Sequence, residues 1–238
     1  GVRTFCPPQN YKTPAPDQLY RNNGDGTFTN VSRQAGLLLA FGNGFGVVSA
    51  DYDNDGDPDL YVTHFFSETN TLYRNEAGQR FTDATTTAGL AGPTIDLMGW
   101  GTRFFDYNND GLFDLFVANG HVYPQVDEIN TGSPYRQTNQ LFANMGRGRF
   151  QQSNSGNALD TEYVSRGSAF GDYDNDGDPD LYLANDMVPN MLYRNDGQRF
   201  IERGLASGTS LNDEGSVEAG MGVDMGDVDG DGLQDFFV

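Results

Sequence analysis

A nine-residue acidic pattern occurs four times along the chain and constrains its fold more than any other feature. It reads D-x-[DN]-x-D-G-x-x-D at residues 51–59, 106–114, 172–180 and 227–235. Carboxylates at this density repel one another, so these segments cannot form buried strands or amphipathic helices, and something must neutralise them. A short apolar run rich in aromatic or β-branched residues follows each one, which indicates a strand directly after each acidic loop.

Two further patterns alternate with the acidic one. Hairpin signals begin with LYRN at Leu19, LYRN at Leu72, LFAN at Leu141 and LYRN at Leu192, and each continues through a turn to a phenylalanine. Gly-rich stretches (GFGVVSA, GWGTRFF, RGSAFG and GMGVDMG) precede the acidic loops, and their missing side chains would let backbones pack closely. One unit is therefore strand, acidic loop, strand, connection and two-strand hairpin.

The spacing of the units predicts an all-β fold. Units recur at 55, 66 and 55 residues, which is typical of a β-propeller of four-stranded antiparallel blades with the Gly-rich strand innermost. A sandwich of many short strands is the alternative. We expect residues 1–16 to form an N-terminal extension and residues 17–238 the propeller, with its first and last blades each half present. The chain would be an arc of a larger ring unless its ends meet to close four blades. Trp100, Arg103 and Arg166 fall on predicted innermost strands; they either line a central channel or only pack and fill it, and packing is the default interpretation.

The acidic loops have the spacing of a calcium site between strands 1 and 2 of each blade. Oxygen ligands at positions one, three, five and nine, a glycine at six and a backbone carbonyl at seven can surround one hard cation, and they suit Ca²⁺ better than Mg²⁺. The loop closes at position nine and leads into a strand, which excludes an EF-hand. The predicted ligands are Asp51, Asp53, Asp55, Asp57 and Asp59; Asp106, Asn108, Asp110, Leu112 and Asp114; Asp172, Asp174, Asp176, Asp178 and Asp180; and Asp227, Asp229, Asp231, Leu233 and Asp235, with the position-seven residues ligating through their carbonyls. We expect about four Ca²⁺ ions, the second site being the weakest because Asn108 replaces an aspartate.

The repeat resembles a known family. The segments ANGHVYPQVD (118–127), SPYRQ (133–137) and SRGSAFGDYDNDGDPDLYLAND (165–186) are similar to FG-GAP/VCBS-repeat calcium-binding propellers, and in particular to the cartilage acidic protein (UnbV/ASPIC-associated) family and its bacterial relatives. The resemblance extends over nearly the whole chain from about Asp17 onward. It implies a calcium role for the loop residues and an extracellular binding or adhesion module. Family members carry more blades and a C-terminal UnbV/ASPIC region, so the chain is expected to be part of a longer polypeptide or a larger complex.

Charge and calcium restrict the partners and the location. The chain carries 34 acidic and 14 basic residues, a net charge of −20 that repels nucleic acid and anionic lipid. No apolar run approaches the roughly 18 residues of a membrane-spanning helix, so no membrane insertion is expected. Cytosolic calcium is too scarce for several ordinary sites, which predicts an extracellular, periplasmic or cell-surface location. Cys6 is the single cysteine, and either its partner lies outside this chain or it is a free thiol.

The sequence offers few residues for catalysis. Its two histidines, His64 and His121, lie in different repeats, and it has no G-x-S-x-G motif. We therefore expect a non-enzymatic module that binds a protein, or a glycan, or acts as a scaffold. A polysaccharide-active enzyme on the same scaffold and a structural subunit of an envelope complex are the alternatives. Clustered acids outside the loops would favour the enzyme, and a large apolar patch the subunit.

The long segment 120–137 has the composition of a binding hot spot. It lies in the repeat of 66 residues, and the strand order places it on the face opposite the acidic loops, where a loop can vary without losing a metal. The predicted partner-surface residues are His121, Tyr123, Tyr135 and Arg136. The alternative is that the two tyrosines only fix the loop to its own blade.

Overall fold

The computed structural model describes residues 16–39, 41–129, 131–153, 158–197 and 199–238. Its strands are β1 (Tyr20–Asn22), β2 (Phe28–Asn30), β3 (Gly44–Ala50), β4 (Asp59–His64), β5 (Thr71–Glu76), β6 (Arg80–Asp83), β7 (Gly99–Phe105), β8 (Asp114–Asn119), β9 (Gln137–Thr138), β10 (Gln140–Asn144), β11 (Phe150–Gln152), β12 (Glu162–Tyr163), β13 (Ser165–Gly171), β14 (Asp180–Asn185), β15 (Met191–Asn195), β16 (Phe200–Glu202), β17 (Asp224–Gly226) and β18 (Asp235–Phe237). Strands make up 40% of the chain and helices 8%, which confirms the all-β class.

The helices are short connections between strands. Within the described ranges they are α1 (Ala91–Thr94), α2 (Val126–Ile129), α3 (Gly204–Ser207) and two 3-10 turns at Leu37–Leu39 and Ala158–Asp160. Among the described residues, none of these helices is long and apolar enough to cross a membrane. Residues 1–15 of the predicted N-terminal extension, including Cys6, lie outside the described part of the chain.

Three four-stranded antiparallel sheets form the body of the structure. Their strand orders are β3-β4-β5-β6, β7-β8-β10-β11 and β13-β14-β15-β16, and each is a complete copy of the predicted unit with the acidic loop between its first two strands. Two-stranded pairs β1-β2, β9-β12 and β17-β18 complete the fold. In the described residues β1-β2 and β17-β18 are separate sheets that do not join, and no closed propeller is formed.

Apolar clusters fill the space between neighbouring sheets. Leu72 of the first sheet and Phe142 of the second belong to one cluster, and Phe116 of the second and Leu183 of the third belong to another. All four side chains are at most 1% exposed. Because each cluster draws on two consecutive sheets, burial of apolar surface holds the sheets together in chain order.

Glycines allow the innermost strands β3, β7, β13 and β17 to pack closely. A Cβ atom on Gly101 of β7 would lie 2.7 Å from the carbonyl oxygen of Arg166 in β13. One on Gly167 of β13 would lie 2.9 Å from Cα of Gly222, just before β17. Both contacts are with backbone atoms, which cannot move aside as a flexible side chain could. The close approach predicted from the Gly-rich stretches is therefore present.

Replacing Gly101 by alanine should lower the free energy of unfolding by about 2 kcal/mol, because the added methyl group would overlap the backbone of β13. Gly226→Ala is a matched control on an innermost strand, since a Cβ there meets no heavy atom within 4 Å. Urea unfolding of both variants measures the difference. Equal stability of the two variants would contradict the close packing of β7 on β13.

Candidate metal centre

The four acidic loops share one backbone conformation. Position four has a positive φ in each loop, at Asn54 (58°), Asn109 (56°), Asn175 (59°) and Gly230 (81°). Position six is a glycine with a positive φ, at Gly56 (96°), Gly111 (84°), Gly177 (94°) and Gly232 (87°). Asparagine and glycine adopt this region at the least cost, so the sequence pattern dictates the same sharp turn each time.

The carboxylate at position one organises each loop from inside. Asp51 accepts hydrogen bonds from the N–H groups of Asp55 (Oδ1, 3.0 Å) and Gly56 (Oδ2, 2.9 Å). The same two bonds recur on Asp106, Asp172 and Asp227. Such bonds stabilise the anion, and at Asp227 they lower the pKa of the carboxyl. Each loop therefore closes around a fixed pair of carboxylate oxygens.

The carboxylate at position nine is buried in the three complete sheets. Asp59, Asp114 and Asp180 are 0% exposed. Asp59 accepts from the N–H of Tyr52 (Oδ2, 3.2 Å) and from the N–H of Asn75 (Oδ1, 2.7 Å). Burial nevertheless raises the pKa of Asp59 to about 6 and those of Asp114 and Asp180 to about 7. A cation beside these groups would favour their ionised form.

Carboxylate oxygens converge in three of the four loops. One oxygen each from positions one, three and nine lie within 4.8 Å of one another in the sets Asp51, Asp53 and Asp59; Asp172, Asp174 and Asp180; and Asp227, Asp229 and Asp235. Two oxygens that each lie about 2.4 Å from the same Ca²⁺ are at most about 4.8 Å apart, so each of these sets is compact enough to share one ion. The second loop has an amide at position three instead, and Asn108 Nδ2 donates to Asp110 Oδ2 at 3.1 Å.

The ligands predicted at positions five and seven lie in the same turn. The position-five carboxylate accepts a hydrogen bond from the position-seven N–H at 2.8 to 3.0 Å in every loop. These pairs are Asp55 and Asp57, Asp110 and Leu112, Asp176 and Asp178, and Asp231 and Leu233. The structure thus brings the predicted ligands of each loop into one compact turn with a common set of hydrogen bonds.

An asparagine that was not predicted as a site residue supports the first three of these loops. It is the last residue of the LYRN or LFAN motif, at Asn75, Asn144 and Asn195, and its N–H donates to the position-nine carboxylate at 2.7 Å each time. All three side chains are buried. The signal was available, because leucine and this asparagine are the only letters that LYRN and LFAN share.

The predicted partner-surface residues differ in exposure. His121 is 0% exposed, and its ring centre lies 4.9 Å from that of Phe66. The backbone N–H of His121 donates to the carbonyl oxygen of Tyr135 at 2.9 Å. The prediction that His121 lies at a partner surface is therefore corrected: its ring packs against Phe65 and Phe66 in the connection between β4 and β5. Tyr123 and Tyr135 are half-buried, and Arg136 is exposed.

The innermost strands line a cavity of about 400 Å³, and Trp100, Arg103 and Arg166 are among the residues that border it. The guanidinium of Arg166 lies 4.3 Å from the ring centre of Trp100 and donates to Asp186 Oδ2 at 3.1 Å. It also donates to the carbonyl oxygens of Gly120 (2.7 Å) and residue 121 (3.1 Å). Because Arg166 is only 2% exposed, its main role is to join the third sheet to the start of segment 120–137.

His121→Phe should remove an acid-sensitive part of the stability. Burial, followed by the charge of Arg166, lowers the pKa of His121 from 6.5 to about 4. The stabilising contribution is complete above pH 6.5, where the unfolded chain is also neutral at this residue, and it is lost as the pH falls towards 4. Between about pH 7.5 and 5 the wild type should lose roughly 2 kcal/mol more than the variant. Urea unfolding in excess calcium at both pH values measures this, and an identical pH dependence would argue against a buried neutral imidazole.

Comparison with known proteins agrees with the repeat pattern. The profile of the FG-GAP-like repeat matches residues 10–62, 127–183 and 172–238, which is more than half of the chain. Cartilage acidic protein 1 of Xenopus tropicalis is 28% identical over 188 residues, and its Homo sapiens counterpart is 27% identical over 185 residues. Each alignment covers 76% of this chain, which spans about a quarter of the length of these curated relatives (26% and 25%).

A solved structure that concerns recognition of non-reducing terminal N-acetylglucosamine by an Agrocybe aegerita lectin is also similar. It is 20% identical with a TM-score of 0.41, and the match covers 77% of this chain and 44% of that one. This likeness is too low to indicate a ligand. The repeat matches establish the relationship: the chain belongs to the FG-GAP-like repeat family.

Proposed function

We propose that this chain is built from blades of a calcium-stabilised β-propeller that acts as a non-catalytic protein-interaction module outside the cytosol. The observation that carries the proposal is the repetition of one loop geometry four times, with carboxylate oxygens gathered within 4.8 Å in three of the loops. Repetition of both conformation and charge is hard to explain by solubility alone, since a solvated acidic turn needs neither.

The donor set of each loop fits Ca²⁺. Carboxylate and carbonyl oxygens are the ligands that this ion prefers, and its variable coordination number tolerates the amide of Asn108 in the second loop. The buried carboxylates Asp59, Asp114 and Asp180 would be ionised by the ion, which would also offset their repulsion from positions one and three. Calcium would supply cohesion between the first two strands of each sheet. Water would complete the shell.

Family membership and calcium together support an extracellular or periplasmic location. The curated relatives are named for cartilage, and millimolar calcium outside the cell saturates even weak loop sites. The candidate partner surface lies on segment 120–137, where Tyr123 and Tyr135 are half-buried and Arg136 is exposed. This segment begins at the end of β8, whereas the acidic loop of the same sheet leads into the start of β8. Partner contacts there would leave the calcium loops undisturbed.

A structural role in a larger assembly is the second candidate. Large apolar side chains are exposed on the two-stranded pairs β1-β2 and β17-β18. They are Tyr20 (53%) and Phe28 (61%) on the first pair, and Val228 (81%) and Phe237 (81%) at the second. Exposed apolar surface of this kind favours coverage by a neighbouring unit or chain. Analytical ultracentrifugation that finds only a 26.1 kDa monomer would argue against assembly through these faces in the isolated chain.

Chelation of calcium should lower the stability by at least several kcal/mol, because each ion bound only to the folded state adds roughly 3 kcal/mol at a hundredfold excess over its Kd. The melting temperature in Ca²⁺ and in EGTA, followed by circular dichroism, measures the effect. Mg²⁺ at the same concentration is the control and should restore little of the loss. An unchanged melting temperature in EGTA would exclude a stabilising calcium role.

Asp172→Ala should remove one ion and leave the others. Asp172 fixes the turn of the third loop through its bonds to Asp176 and Gly177, so its loss affects the ligand set and the turn together. Bound calcium, measured by atomic emission after gel filtration, should fall from about four to about three per chain. Glu214→Ala removes an exposed acid outside the loops and should leave the count unchanged. An equal count in both variants would contradict the assignment.

The double variant Tyr123→Ala/Arg136→Ala should lose partner binding while it keeps its melting temperature, because these side chains are at least partly exposed. Extracellular proteins captured on the immobilised wild-type chain in calcium provide the probe, and their retention by the double variant is then measured. Arg80→Ala, at the hairpin-turn end of the first sheet, is the matched control. Lost stability with intact binding would leave the tyrosine as a loop anchor only.

A further inference from the structure

We infer that the hairpin asparagines Asn144 and Asn195 couple the metal sites of neighbouring sheets, so that an ion in one acidic loop strengthens binding in the preceding loop. The inference rests on the proposed calcium function and adds residues that are not themselves ligands. Both are positioning residues: they act on the ligands through hydrogen bonds.

Each asparagine is first tied to the acidic loop of its own sheet. The N–H of Asn144 donates to Asp114 Oδ1 at 2.7 Å, and the N–H of Asn195 donates to Asp180 Oδ1 at 2.7 Å. Their Nδ2 atoms also donate to the carbonyl oxygen at position eight of the same loop, at 2.9 and 3.3 Å. An ion that holds the position-nine carboxylate therefore also fixes the asparagine.

The same side chain reaches across to the preceding sheet. Asn144 Nδ2 donates to the carbonyl oxygen of Tyr52 at 2.8 Å, and Asn195 Nδ2 donates to that of Tyr107 at 2.8 Å. Tyr52 and Tyr107 occupy position two of the first and second loops, so each bond holds the peptide unit between the ligands at positions one and three. Asn144 is only 3% exposed, so the bond is not readily replaced by water.

Aromatic packing encloses each link. The ring centre of Tyr52 lies 5.6 Å from that of Phe150, and that of Tyr107 lies 6.5 Å from that of Phe200. The two phenylalanines belong to the same hairpins as the two asparagines. Tyr52 and Tyr107 are 2% and 6% exposed, whereas Val228, at position two of the fourth loop, is 81% exposed. Position two is thus buried where the following hairpin reaches it.

The path between two sites is continuous. It runs from the second loop through Asp114, Asn144 and the peptide of Tyr52 to the ligands of the first loop. When one ion fixes the asparagine, the second ion loses less conformational entropy on binding, because the linked peptide is already ordered. By thermodynamic linkage the coupling is reciprocal. We expect a coupling of about fivefold to tenfold in affinity for each linked pair. Asn109 Nδ2 also donates to Asp178 Oδ1 at 2.7 Å, which joins the second and third loops directly, so the first pair gives the simpler test.

Asn144→Ala and Asn75→Ala form a matched pair of variants. Asn75 makes the same bonds within its own sheet, from its N–H to Asp59 at 2.7 Å and from Nδ2 to the carbonyl oxygen of Pro58 at 3.0 Å. The side-chain Oδ1 of each asparagine also accepts from a glycine of its own hairpin turn. In the described residues the bonds of Asn75 stay within its own sheet, whereas Asn144 also reaches the preceding loop, so of these two variants only Asn144→Ala removes a link between loops.

The position-six glycine amides report each site separately. Gly56, Gly111, Gly177 and Gly232 each donate to a position-one carboxylate, so their amide resonances should follow the calcium occupancy of their own loops. In Asn144→Ala, the calcium midpoints of Gly56 and Gly111 should both rise at least fivefold; in Asn75→Ala, the rise should be largest at Gly56. Asn144→Asp, which keeps the volume and Oδ1 but loses the Nδ2 donor, repeats the test if the alanine variant does not fold.

A reciprocal measurement separates coupling from general damage. Asp106→Ala, which disables the second site, should raise the midpoint of Gly56 in the wild-type background and leave it unchanged in the Asn144→Ala background. A Gly56 midpoint that is unaffected by Asn144→Ala and Asn144→Asp would overturn the coupling while the calcium function stands. No response of any glycine amide to calcium in the wild type would overturn the calcium function itself.

Discussion

Mutual repulsion among carboxylates is the constraint on which the rest of this structure depends. Each acidic loop brings several carboxylates close together. Backbone N–H groups of the loop donate hydrogen bonds to the carboxylates at positions one, five and nine. These bonds require a positive φ at positions four and six. This explains why asparagine or glycine occupies position four and glycine occupies position six. The loop then delivers the chain into β4, β8, β14 or β18 at a fixed point.

The inner and outer parts of each sheet solve different problems. On the inside, glycines let the backbones of neighbouring innermost strands come into van der Waals contact. Further out, aromatic and aliphatic clusters fill the widening gap between sheets. The acidic loops and the hairpins meet at one end of each sheet, where Gly197 donates to Asp178 of the third loop at 3.1 Å. That end is polar and highly hydrogen-bonded, and the other end carries the variable connections.

The repeat pattern predicted most of the fold because period, turn residues and strand composition all pointed to the same unit. The predicted innermost strands GFGVVSA and GWGTRFF coincide with β3 and β7, and the loop carboxylates converge as expected in three loops. The burial of His121 could not be predicted, because it depends on Phe65 and Phe66 in the β4–β5 connection of a different repeat, and one sequence shows no such contact. The role of the hairpin asparagine was missed for a related reason: its partners lie 15 to 92 residues away along the chain.

The apolar clusters between sheets have a consequence for how such a chain can change in length. Each cluster involves two consecutive units, so a unit contributes one half of the interface before it and one half of the interface after it. Both interfaces of a duplicated unit would therefore already be complementary to its neighbours. The stability of such a fold is approximately a sum of contributions from each unit and from each interface between neighbours. Chains of this kind can gain or lose units by recombination between repeats without any redesign of the core.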